Sequence, residues 1–207
     1  MSVRRSTAQL AAAAVVALAA FAPGPAAGQA VAGCDGQAME QPFLRWLDPA
    51  QYVLAPDGGL EAGASGWTLA GGARVVAGNE PWHVGGATHS RSLALPAGSS
   101  ATTGWMCVSL LHPTLRLFAA NGGSLLSPLK IEVLVRADGG SVLAAPIATT
   151  VAGSAWQPTL PMPILGNATN LPLVTDGTLQ VAFRFTPIGL GGSWQIDDTY
   201  VDPYQGR

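Results

Sequence analysis

Apolar and polar positions alternate with a period of two in several short runs. Leu115 and Leu117 alternate with Thr114 and Arg116, Ile131, Val133 and Val135 with Lys130, Glu132 and Arg136, and Val181, Phe183 and Phe185 with Arg184 among others. A period of two sends successive side chains to opposite faces, so each run predicts a strand with one buried and one wet face. Read along the chain, strand-like segments recur at Trp67–Leu69, Arg74–Val76, Ser92–Leu95, Met106–Leu110, Thr114–Ala119, Lys130–Arg136, Ser141–Thr150, Thr178–Thr186 and Ser193–Val201. Short strands at this spacing with turn signals between them predict an all-β fold, a sandwich or barrel. Ala137-Asp138-Gly139-Gly140 predicts a hairpin turn, because Asp-Gly and Gly-Gly accept the positive φ such turns require. The last two runs, Val181–Thr186 and Ser193–Val201, are parted by Pro187 and three glycines and predict a closing hairpin.

Composition sharpens this picture. Only 11% of residues are charged, while the chain holds 26 glycines and 16 prolines, a balance that favours tight turns over long helices. A length of 207 residues suits one domain with a substantial core. Net charge is −2, Lys130 is the only lysine, and no basic stripe exists, so the electrostatic footprint of a nucleic-acid binder is absent.

The front of the chain predicts export. Arg4 and Arg5, the apolar run Leu10–Phe21 and a small-residue region reaching Ala32 have the layout of a secretory signal, with cleavage after Ala30 or Ala32. The apolar run has twelve residues, short of the roughly twenty that span a bilayer, so no transmembrane segment is expected. The organisation that follows is a signal over 1–32, an arm over 33–51 and a β-sandwich domain over 52–204, in a secreted protein. In the arm, Phe43, Leu44, Trp46, Leu47 and Tyr52 are the expected apolar anchors, with Pro42 and Pro49 interrupting any long helix. Val31-Ala32-Gly33-Cys34 also resembles a lipobox, which would lipidate Cys34, but the segment Ala22–Ala30 separates it from the apolar run. The favoured role for Cys34 is a disulfide with Cys107, the only other cysteine, in an oxidising compartment.

Catalytic patterns are missing. His83, His89 and His112 form no metal-binding pair, there is no Gly-x-Ser-x-Gly elbow, and no glycine-rich phosphate loop ends in lysine. The expectation is a protein that is not an enzyme. Two stretches lack strand character, Ala77–Arg91 and Ala155–Gly177, and ordered loops of such length tend to be specialised. Asn167-Ala168-Thr169 matches the glycosylation sequon.

Between the arm and the first long loop, Asp57-Gly58-Gly59-Leu60-Glu61 followed by Gly66-Trp67 reads as a strand-turn-strand opening. The far end of the chain carries Trp194-Gln195-Ile196-Asp197-Asp198-Thr199-Tyr200-Val201. Together with Ser92–Leu95, these motifs resemble the carbohydrate-binding-module group of galactose-binding-like jelly rolls, over about Tyr52 to Tyr204. The arm motif Gln41-Pro42-Phe43…Trp46-Leu47-Asp48-Pro49 is similar to that of a set of secreted bacterial proteins, a likeness that brings no activity with it. The jelly-roll resemblance implies antiparallel first and last strands and a structural Ca²⁺ near their meeting point, with the Gly59 carbonyl, Glu61 and Asp197 at the matching positions and Asp198 as a substitute. Period two sends Trp194, Ile196 and Asp198 one way and Asp197 the other; either Asp198 faces inward with a partner or a bulge resets the register before Val201. Without an ion, both aspartates would be solvated near a strand end.

Sugar recognition needs an exposed aromatic face flanked by polar side chains. Trp82 with Asn79, Glu80, His83 and Arg91 is the expected contact set for a polysaccharide or cell-surface glycan, unless Trp82 folds back as a lid on the core. Two functional expectations follow: a secreted, non-catalytic glycan-binding module, or a structural or protein-interaction domain of the cell envelope that binds no sugar.

The disulfide is open to a direct check. Intact mass under non-reducing conditions should show both cysteines oxidised, and reduction should lower stability by about 4 kcal/mol on the chain-entropy model; two free thiols, or an acyl mass on Cys34, would rule the bond out.

Overall fold

Alternating apolar strands cannot bury one face alone, and here two antiparallel sheets bury theirs against each other. The computed structural model describes residues 37–109, 114–137, 140–164 and 178–202; Cys34, the export segment, His112 and the Asn167 sequon lie outside them. The strands are β1 (Val53–Leu54), β2 (Thr68–Ala70), β3 (Arg74–Ala77), β4 (Arg91–Pro96), β5 (Ser100–Thr102), β6 (Met106–Ser109), β7 (Thr114–Asn121), β8 (Leu129–Arg136), β9 (Val142–Thr150), β10 (Gln157–Pro158), β11 (Met162–Pro163), β12 (Thr178–Pro187) and β13 (Ser193–Val201). One sheet runs β10-β7-β13-β4-β3, with β1 on β13 and β11 on β7, and the other runs β2-β5-β12-β8-β9, with β6 on β12. The architecture is an antiparallel β-sandwich of the jelly-roll type.

Between the sheets, Leu93, Leu95, Leu115, Leu117, Trp194 and Ile196 of the first meet Ile131, Val133, Val135, Val181, Phe183 and Phe185 of the second. All nine expected strands are present within a residue or two. The hairpin at Ala137 also forms: Ala137 N–H donates to Ser141 O at 2.9 Å, and Gly140 takes φ +83°.

The closing hairpin does not form. β12 and β13 lie in different sheets, because Pro187–Gly192 carries the chain across the sandwich instead of folding it back in one layer. Nor is Asp57–Gly66 a strand-turn-strand unit. It is a run of turns, gathered by the Asp57 carboxylate, which accepts from Ala62 N–H at 2.9 Å and Ser65 N–H at 2.7 Å. The implied antiparallel pairing of first and last strands does hold, with Val53 opposite Val201 and Leu54 opposite Tyr200.

A third correction concerns the wet face of β7. Arg116 is buried, as are Phe118 and Ala120 on the same side. The cover is the arm. Its short 3₁₀ turn Leu44–Trp46 lays Phe43 against Tyr52, Phe118 and Tyr200, with centroids 4.9, 5.4 and 5.8 Å away. The Arg116 guanidinium sits 4.0 Å from the Phe43 ring centroid, pairs with the Asp48 carboxylate and donates to Thr159 O at 2.9 Å. Burial alone would raise the Asp48 carboxyl; hydrogen bonds from Tyr52 and Ala50 and the Arg116 charge reverse this and hold it below its usual range. Leu44 and Leu47, expected as anchors, are instead exposed. The chain turns at Leu47 with φ +61°, which aims that side chain away from the sheet.

Phe43 has no exposure, so Phe43→Ala should cost about 3–5 kcal/mol in urea unfolding, whereas Leu44→Ala should stay within about 0.5 kcal/mol of the parent. Equal effects would show that the arm is not clamped through this ring.

Candidate functional site

Two features converge at the end of the sandwich where β1 begins and β13 ends. The first is a buried acidic cluster. On β13 the pairing with β7 is broken between Asp197 and Tyr200, and Asp198 adopts φ +44°. This is the bulge that the apolar pattern of the strand requires: it returns Val201 to the inner core and turns Tyr200 outward into the aromatic cluster under the arm.

Glu80, Asp197 and Asp198 are all fully buried. Each carboxylate is met largely by backbone N–H groups of the loop 78–90. Glu80 accepts from Trp82 and Val84 N–H, Asp197 from Glu80 N–H at 3.3 Å and Asp198 N–H at 2.8 Å, and Asp198 from Gly85 N–H at 3.0 Å. A side chain at Gly85 would collide with Asp198 Oδ1, so only glycine lets the loop come this close. Asp198 Oδ1 itself is buried without a hydrogen-bond partner, 3.7 Å from His89 Nδ1. Burial, then the charge of Asp198, pushes the Asp197 carboxyl up to about 9; burial, then the charge of Glu80, raises Asp198 to about 6.

The residues named for calcium do not fit the ion as a set. Glu61 is turned to Ser90 and Arg91 N–H at 2.7 and 2.8 Å, Asp197 is committed to two backbone N–H groups, and the His89 ring lies against both Gly59 and Asp198. Among the described residues no three His, Cys, Asp or Glu side chains converge on a point where a metal could sit. The cluster acts as a clasp: it ties the loop 78–90 to the last strand, while Thr199 N–H to Gly58 O at 3.1 Å and Ala55 N–H to Thr199 O at 2.9 Å tie the front motif to it.

The second feature is a surface depression of about 300 Å³ lined by Glu40, Gln41, Pro42, Arg45, Trp46, Trp82 and Val84. Trp82 is partly buried, edge-on to Trp46 at 4.9 Å between centroids and 5.6 Å from Phe118. It is thus both a lid on the aromatic cluster and a wall of the depression. The other expected contact residues part company with it. Glu80 is in the clasp, His83 and Asn79 hydrogen-bond each other at 3.3 Å, and Arg91 stands exposed at the start of β4 and does not line the depression. In their place the arm supplies Glu40, Gln41 and Arg45, whose guanidinium carbon lies 6.0 Å from the Trp82 ring centroid. Only the folded arm brings these residues, some forty positions away, beside Trp82; no local pattern signals it.

Two other depressions lack a free aromatic face. One, on the outer face of the first sheet, has a floor of Ala94, Ala120, Gly122 and Ser193 beside Arg74 and Gln195. The other includes Trp105, but Arg136 already stacks on that ring at 4.3 Å.

No family model matches the sequence, and no curated protein matches it. The fold is similar to those of carbohydrate-binding modules. One is a family 61 module solved with β-1,4-galactotriose, at 20% identity and TM-score 0.39, covering 71% of this chain and 95% of that one. Another is the Clostridium thermocellum xylanase 10B CBM22-1–GH10 pair solved with xylohexaose, at 14% identity and TM-score 0.47, covering 69% of this chain and 27% of that one. A third is the Paenibacillus barcinonensis Xyn10C tandem CBM22 domain, at 14% identity and TM-score 0.45, covering 76% and 46%.

Asp197 binds its proton more tightly in the folded than in the unfolded chain, so its contribution to stability is full below its ordinary value of 3.8 and is lost as pH climbs through about 9. The melting temperature should therefore be higher at pH 5.5 than at pH 8.5. Asp197→Asn should flatten that slope, and EDTA should leave both profiles unchanged. A flat profile in the parent would mean the cluster is not buried as described.

Proposed function

We propose that this is an exported, non-catalytic glycan-binding protein whose contact surface is the depression between the arm and the loop 78–90. The observation that supports the reading is the make-up of its walls. Trp82 and Trp46 offer indole surface to the apolar C–H face of a pyranose, while Glu40 accepts, Arg45 donates and Gln41 does both toward ring hydroxyls. The size, about 300 Å³, suits one or two sugar residues at the lower end of small-molecule sites. The Trp46 and Trp82 planes meet at 87°, so the two rings form a corner. That geometry favours a chain end or a branch over a long flat glycan running across coplanar rings.

Affinity electrophoresis against a panel of soluble polysaccharides tests this. At least one should retard the protein, and Trp82→Ala should weaken that retardation about tenfold or more. Because Trp82 also packs on Phe118, Arg45→Ala, at an exposed position, serves as the second variant and should weaken binding without lowering the melting temperature. Retardation unchanged in both variants would remove this site, and no retardation by any polysaccharide would favour a structural or protein-interaction role.

A further inference from the structure

The opposite end of the sandwich has a different character. Five connections meet there: 70–73 between β2 and β3, 96–99 between β4 and β5, 122–128 between β7 and β8, 151–156 after β9, and 188–192 between β12 and β13. None of them contains an Asp, Glu, Lys, Arg or His. Yet they carry the most exposed large apolar side chains at this end: Leu126 and Leu190 are each 90% exposed, Val151 69%, Leu125 67% and Ile188 41%.

This exposure does not come from slack loops. Ser124 N–H donates to Gly191 O at 2.7 Å, Ile188 N–H to Pro128 O at 2.8 Å, and Gly122 N–H to Ser193 O at 2.9 Å. The Ser127 hydroxyl donates to Ile188 O at 2.8 Å, and Asn121 Oδ1 accepts from both Gly123 and Ser193 N–H. Trp194 Nε1–H reaches up from the core to Ser127 O at 2.8 Å. The backbones of the two long tips are therefore joined at these points, while the leucines stand exposed.

We propose that this end docks onto a lipid surface, with Leu125, Leu126, Ile188 and Leu190 entering the interfacial layer. Three considerations select a bilayer over a protein. The side chains together present on the order of 500–600 Å² of apolar surface, which is at the upper limit for an ordinary monomer but below the roughly 800 Å² per partner that a stable protein interface needs. Leu126 and Leu190, each 90% exposed, protrude from their tips, and a bilayer accepts protruding apolar side chains without a complementary pocket. Finally, the leucine-bearing tips carry no charge with which to fix the register of a protein partner, while the Arg74 guanidinium, which donates to Gly72 O at 3.3 Å at the rim of this end, would favour anionic headgroups. This surface is separate from the depression at Trp82.

Flotation with phosphatidylcholine vesicles tests the proposal. The parent and the Leu126→Asp, Leu190→Asp double variant are compared as full 207-residue chains, so that any contribution of the apolar run Leu10–Phe21 is common to both. The variant should partition at least tenfold less than the parent, with an unchanged melting temperature. If the aspartates disturb folding, the Leu126→Ser, Leu190→Ser pair is read in their place, with the same expectation. Equal partitioning of parent and variant overturns the proposal, as does a parent that stays out of the vesicle layer. It is also overturned if sedimentation shows a dimer of the parent that the variant abolishes, since the end would then be an interface between copies of this chain.

Discussion

The central strands β7 and β13 of the first sheet are buried along most of both faces, and a sheet in that condition must be covered twice. The second sheet covers the inner face. On the outer face the cover is the arm, held by one buried guanidinium: Arg116 lies under Phe43, pairs with Asp48 and reaches Thr159. Removing Asp48 would leave the Arg116 charge stranded away from water, which is far more costly than losing a surface ion pair. The position of the arm decides most of what lies on this side of the molecule. It brings Glu40, Gln41 and Arg45 to Trp82, and it shelters Tyr200, whose hydroxyl donates to Glu40 at 2.9 Å.

The acidic cluster is a different sort of constraint. Three carboxylates this close repel one another, but each is met by backbone N–H groups, His89 lies 3.7 Å from Asp198, and burial raises Asp197 and Asp198 so that protonation relieves the repulsion. The loop 78–90 is thereby shaped by acids from elsewhere in the chain as much as by its own residues. Its irregular conformation, with His83 at φ +50° and Gly86 at φ +154°, is held in place from beneath.

Strand positions were legible because alternation survives wherever one face is buried. The short strands β1, β5, β10 and β11 are not among the nine read from alternation: Val53-Leu54 is only two residues long, Ser100-Ala101-Thr102 has no large side chain, and the other two are proline-bearing edge pieces held by β7. The bulge at Asp198 was deducible from parity, since Ile196 and Val201 cannot share a face of a regular strand. Which sheet β12 and β13 belong to was not deducible, because a proline-glycine connection closes a hairpin and crosses a sandwich with equal ease. At the candidate site, Trp82 stood out in the sequence for its polar setting, but its neighbours in space come from the arm, and Glu80 was drawn inward by a clasp whose other half lies more than a hundred residues away.

Where the chain joins and leaves the sandwich, Val53–Leu54 lies antiparallel beside Tyr200–Val201. Tension drawn between those two points would strain the hydrogen bonds of that pair one after another, as a zip opens, instead of loading them together as sheared strands do. Mechanically the two faces of the first sheet are therefore unequal: the arm would peel from outside inward under modest force, while the strands packed between the sheets would stay in register until the arm had gone.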